Sequence, residues 1–136
     1  MDYKKYIKTK RWNDPIEDSD GWRLLICRYR PRGLLKKNET WDTWWKILGP
    51  SPELHADAYG KFNQPISRAE YKKRYLMEMQ SLPSLQAIKF IREYIKRGHT
   101  ITLLCSSACI NAEKCHRSIL KEIIAGAANT IKVHII

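Results

Sequence analysis

Between Gly98 and Ser106 the chain reads HTITLLC, a β-branched and apolar run bounded by a glycine and a polar loop, and no other stretch limits the fold as strongly. An apolar run this short belongs to a strand buried on both faces. A polar loop over Ser106–Asn111 follows, then a helical pattern from about Ala112 to Ala125, then a second β-branched stretch, TIKVHII, over Thr130–Ile136. Strand, loop, helix and strand in that order predict a βαβ unit with parallel strands and a right-handed crossover. The expected class is α/β: a mainly parallel sheet of about four or five strands with helices packed on it, in one domain over residues 1–136.

Upstream, Trp22–Cys27 (WRLLIC) has the length and character of another buried strand, and Tyr3–Lys8 reads as a short one. Between them, Asn13–Gly21 gathers Asp14, Pro15, Asp18, Asp20 and Gly21 into a loop with a turn. Thr40 is placed to cap a helix from Trp41 to about Leu48, with Trp41, Trp44, Trp45 and Leu48 on one face and Gly49-Pro50 stopping it. Ser51-Pro52-Glu53 then starts a short helix toward Tyr59. Ser67 caps a longer helix striped with Tyr71, Tyr75, Leu76 and Met79. Ser84 is expected to cap the next, which faces Leu85, Ile88, Ile91, Tyr94 and Ile95 to the core and closes at Gly98.

A chain of 136 residues can bury a core without staples, and no apolar stretch reaches the 18 to 20 residues a membrane span requires. The expectation is a cytoplasmic protein with no membrane partner. Its 25 Lys and Arg against 14 Asp and Glu leave a formal charge of +11, which favours an anionic small molecule or nucleic acid as partner. The charges are scattered and no nucleic-acid-binding signature accompanies them. No GxGxxG, Walker-type loop, HExxH or nucleophile elbow occurs, so no cofactor is expected.

In parallel sheets, ligands bind beyond the carboxyl ends of the strands. Two loops should lie on that edge. One is CRYRPRG, Cys27–Gly33, after WRLLIC. The other is CSSACINAEKCHR, Cys105–Arg117, after ITLLC. If the strands are neighbours, Arg28, Arg30 and Arg32, with Gly33 in the same loop, approach Arg117 and form an anion site. Asn111 is a plausible helix cap with Glu113 near the positive end of the dipole, which puts Cys115 in or just after the first turn. A thiol beside His116 and Arg117 is in an electropositive setting, so Cys115 is a nucleophile candidate and Cys105 a second thiol of the site. Three other readings stay open. The C-x3-C-x5-C-H spacing of Cys105, Cys109, Cys115 and His116 could hold a metal, although it is no paired knuckle, and no metal is assigned. Cys105 could pair with Cys115 or Cys109 as a disulfide. The cysteines could also be small buried hydrophobes.

The acidic loop ending in Asp20-Gly21, the PRG of Pro31–Gly33, the Trp-rich segment, Gly49-Pro50-Ser51 with Glu53-Leu54, Tyr71 and Tyr75, and LLC followed by nine residues and CHR recur in order. In these features the chain resembles the domain of unknown function 488 family of small bacterial and archaeal proteins, nearly end to end. The resemblance implies an active site at the charged residues and the signature Cys105, Cys115, His116 and Arg117, without implying a reaction. Family members usually show Asp before the first arginine and Trp before PRG, where this chain has Cys27 and Arg30. The resemblance therefore implies that a carboxylate able to act as general base is absent here, and that Cys109 is an addition. The function expected is an enzyme acting on a phosphate-bearing or nucleotide-like anion; the alternative is a non-catalytic module binding nucleic acid or an anionic ligand.

Overall fold

The structure, a computed structural model, describes residues 1–109 and 115–126. Four parallel strands, β1 (Ile7–Arg11), β2 (Trp22–Leu25), β3 (Thr43–Trp44) and β4 (Ile101–Cys105), form one sheet in the order β1-β4-β2-β3. The α/β class with a parallel sheet is as the sequence indicates. β4 is central: Ile101 to Cys105 pair with Ile7 to Arg11 on one side, and Ile101 to Leu104 with Trp22 to Leu25 on the other. All five β4 residues are buried, as befits a β-branched and apolar strand with neighbours on both sides. The expected strand Thr130–Ile136, and Asn111 and Glu113, lie outside the described residues.

Helices α1 (Pro52–Tyr59), α2 (Arg68–Glu78), α3 (Leu82–Lys96) and α4 (His116–Ala125) contribute Leu54, Tyr75, Ile91 and Leu120 to one core. That core lies on the sheet face bearing Leu24, Ile26, Ile101 and Leu103. The opposite face presents Leu25 and Leu104, which are covered by Trp12, Trp41 and Trp44 rather than by a helix. Further along that face, Asp20 is 1 % exposed and gathers Lys8 and Lys10 of β1 and Arg23 of β2, while its carbonyl accepts the Thr102 hydroxyl at 2.7 Å.

Several boundaries differ from the sequence reading. Tyr3–Tyr6 is a single 3-10 turn and not strand, because Tyr3 folds inward under the Arg92 guanidinium, 4.5 Å from its ring. The expected helix over Trp41–Leu48 does not form. Asp42 and Trp45 donate their backbone N–H groups to Arg23 and Leu25, so Thr43–Trp44 becomes the edge strand and only Lys46–Leu48 turns helically. Tryptophan and threonine are strand formers, and in extended chain adjacent side chains oppose one another. Trp44 accordingly packs on the cysteine side of the sheet and Trp45 against Trp22, 5.2 Å away. The helix expected to start at Ser84 starts three residues earlier: Ser81 caps it by accepting the Ser84 N–H, and Pro83, lacking an N–H, fits the first turn. α4 starts at His116, with Cys115 as extended N-cap, rather than near Ala112.

Gly49 packs backbone against backbone on the start of the arginine loop: a Cβ there would stand 2.5 Å from the Arg28 nitrogen and 2.9 Å from the Cys27 carbonyl carbon. Gly49→Ala is expected to cost about 1–3 kcal/mol by forcing these segments apart. Urea denaturation checks this; an unchanged midpoint would show that the contact yields freely.

Candidate functional site

Because β2 and β4 are parallel neighbours, their carboxyl ends emerge side by side, and the loops leaving them meet although Cys27 and Cys105 are 78 positions apart. Between these loops and the helices α1 and α2 lies a hollow of about 1770 Å³. Cys27, Cys105, Cys109, Cys115 and His116 line it together with Arg28, Arg30 and Arg32. The structure thus brings together most of the residues singled out from sequence, and adds Arg68 and Tyr71 of α2 and His55 and Tyr59 of α1.

All four cysteines are free thiols. Cys115 donates to Cys105 at 3.0 Å, Cys105 donates to Cys109 at 3.3 Å, and Cys27 approaches Cys105 at 3.9 Å. The three sulfurs of Cys105, Cys109 and Cys115 fall within 4.8 Å of one another. Zinc–sulfur bonds of about 2.3 Å in a tetrahedron put sulfurs roughly 3.8 Å apart, a spacing inside the range from 3.0 Å up to 4.8 Å over which these three sulfurs lie. A disulfide needs about 2.05 Å. The observed spacing is too wide for a disulfide and leaves the three sulfurs as a candidate donor set for a soft metal ion as well as a cluster of thiols.

A relay of S–H donors ends on one acceptor. Hydrogen bonds from Cys105 and then Cys115 pull the Cys109 thiol down to about 3 against the effect of its own burial, with the charge of Arg117 assisting. Cys105 moves the other way because its proton is held against Cys109. Cys115 is raised by its hydrogen bonds to Cys105 and Cys109 and by burial. Cys109 is also the only half-buried sulfur of the four, whereas Cys115 is 3 % exposed. The sulfur nearest solvent is therefore the one of the cluster whose ionisation its neighbours favour.

His116 supplies a proton acceptor beside the relay. Its Nε2 lies 2.8 Å from the Ile26 carbonyl oxygen, which can only accept, so Nε2 carries the hydrogen. Burial lowers its pKa and keeps the ring neutral, which leaves a bare Nδ1 at 3.8 Å from both Cys105 and Cys115 sulfurs.

The arginines divide by role. Arg28 is held by neutral carbonyls, donating to Pro50 at 2.8 Å and Gly49 at 3.4 Å, and has no ion pair among the described residues. Arg32 is exposed and has no ion pair among the described residues. Arg30 is neutralised by Glu39 at 2.7 Å and lies against the Trp41 ring. Arg117 is buried and does not line the hollow. It donates to the Cys109 carbonyl at 3.2 Å from behind, and its Nε and Nη1 find no partner among the described residues. Gly33 is exposed at φ +71°, a turn position away from the lining. The sequence pattern marks Cys109 as an addition to the family signature and does not single out His55. The His55 and Tyr59 spacing of one helical turn was the available signal for a shared face. Arg68 had none beyond its charge.

With this geometry in view, the comparisons with known proteins are informative. The family model DUF488-N3a, described as the active DUF488-N3 subclade, matches residues 7–128. Uncharacterized protein YeaO of Escherichia coli (strain K12) is 38 % identical over 73 residues, 54 % of this chain and 61 % of YeaO. Uncharacterized protein Rv3073c of Mycobacterium tuberculosis (strain ATCC 25618 / H37Rv) is 28 % identical over 83 residues, 61 % of this chain and 68 % of that protein. The match thus spans about three-fifths of the length of YeaO. No solved structure matches the chain. No helix among the described residues is long and apolar enough to cross a membrane.

Proposed function

The chain belongs to the DUF488-N3a family, and from that premise we propose that it is a thiol enzyme acting on an anionic, phosphate-bearing substrate. Arg28 and Arg32 hold the anion, Cys109 is the reactive sulfur, and Cys115 and Cys105 stabilise its charge through their S–H groups. His116 Nδ1 takes up or returns a proton at Cys105 or Cys115. Arg117 fixes the turn that carries Cys109. The free thiols fit a reducing compartment such as the cytoplasm. The word "active" in the family description supports catalysis, and the observation that carries the reading is that Arg28 and Arg32, with no ion pair among the described residues, line the same hollow as the half-buried Cys109 sulfur on which the chain of S–H groups ends.

Competition tests it. Inorganic phosphate should slow alkylation of Cys109 by iodoacetamide in the full chain. The Arg28→Ala, Arg32→Ala double variant should weaken that protection about tenfold or more, the scale of lost charge-assisted hydrogen bonds. Alkylation indifferent to phosphate would remove the anion site, and stoichiometric zinc in the purified protein would make the sulfurs ligands instead of reactants. The formal charge of +11 also suits a binding module without chemistry. That reading predicts the same protection but an ordinary thiol at Cys109.

A further inference from the structure

The mouth of the hollow carries a feature that anion binding and thiol chemistry leave unused. Tyr29, Tyr59 and Phe62 all line it, yet they are 53 %, 61 % and 74 % exposed. Large aromatic side chains usually contribute by being buried, and three of them left open around one hollow call for an occupant. They are arranged as a corner. The His55 ring stands 5.1 Å from Tyr29 at 81° and 4.7 Å from Tyr59 at 43°, so two walls meet across it. Lys61 lies 5.3 Å over the Phe62 ring, and Arg28 and Arg32 stand on either side of Tyr29 in its loop.

We infer that this aromatic corner is a stacking platform for a nucleobase, so that the anion held by Arg28 and Arg32 is the phosphate of a nucleotide. The inference rests on the anion-holding role given to those arginines above. Charge decides against an apolar peptide as occupant, since among the described residues the lining holds Arg28, Arg32 and Lys61 against the carboxylate of Glu53. Aromatic faces beside a cationic track are the combination that binds unpaired nucleotides, because every base has a π face and every nucleotide a phosphate. Size agrees: about 1770 Å³ exceeds the 300–1,000 Å³ of ordinary small-molecule pockets and leaves room for base, sugar and phosphate at once.

Calorimetric titration of the full chain with inorganic phosphate, ribose 5-phosphate, AMP and a six-residue oligothymidylate separates the contributions. AMP should bind about tenfold or more tighter than ribose 5-phosphate, the range that stacking of one base supplies. The Tyr59→Ala, Phe62→Ala double variant, whose side chains are exposed and whose fold should persist, should lose most of that advantage and keep ribose 5-phosphate binding within about twofold. Equal affinities for AMP and ribose 5-phosphate, or an undiminished advantage in the variant, would overturn the platform while leaving the phosphate site intact. Binding of none of the four would overturn the phosphate site and the platform together. Tighter binding of the oligomer than of AMP assigns the nucleotide to a strand, and equal or weaker binding assigns it to the free pool; the platform stands in both cases.

Discussion

Asp20→Ala is expected to destabilise the chain by about 3–5 kcal/mol, the scale on which breaking a buried ion pair leaves its partners uncompensated. The carboxylate is 1 % exposed and is contacted by Lys8 at 3.1 Å, Lys10 at 2.8 Å, Arg23 and the Glu17 backbone N–H at 3.1 Å. Arg23, itself buried, would keep a charge with no counter-ion. Lys8 and Lys10 face one another from alternate positions of β1, so their repulsion would also be released. Burial alone would raise the Asp20 pKa, but the hydrogen bonds from Lys10, the Glu17 backbone and Lys8 win and hold it well below the usual carboxylate range. The folded value is depressed, so the stabilisation is complete above the unfolded carboxylate pKa near 4 and is lost as pH falls below it toward the folded value. Denaturant unfolding at pH 7 and pH 3 measures both effects. A loss under 1 kcal/mol at pH 7, or equal acid sensitivity in wild type and variant, would mean that these charges are solvated rather than organised.

What the sequence revealed follows from how local each signal is. The central strand was legible because Ile101–Cys105 is a short β-branched and apolar run, and α1 and α2 because Ser51 and Ser67 are side-chain caps in the immediate sequence. The meeting of the arginine loop and the cysteine loop was legible through topology, since parallel strands discharge their loops on one edge. The segment around Trp41–Leu48 was not, because i, i+3, i+4 spacing of aromatics fits a helix face as well as the two-residue strand that pairing with β2 imposes. Arg117 shows the same limit within the site. Spacing put it next to His116, but the way α4 leaves Cys115 turns its side chain behind the cysteine loop. The division of labour among thiols was equally hidden, since it depends on which S–H points at which sulfur.

That division is where the account is most exposed, and a pH profile of alkylation reads it. An ordinary thiol of pKa near 8.5 loses about 300-fold of its thiolate between pH 7.5 and pH 5. A thiol already ionised loses almost none. The absolute rate at pH 7.5 is a poor guide, because a thiolate of low pKa is intrinsically less nucleophilic and the two effects offset. The slope is free of that compensation. The decisive measurement is therefore the rate of iodoacetamide modification at each cysteine, followed by mass spectrometry from pH 5 to pH 7.5. Modification should fall first on Cys109 and vary by less than about threefold across that range, and Cys109→Ser should leave only sites with the steep ordinary dependence. A steep profile at Cys109, or modification elsewhere before it, would contradict a pre-formed thiolate at the hollow and with it the assignment of this chain as a thiol enzyme.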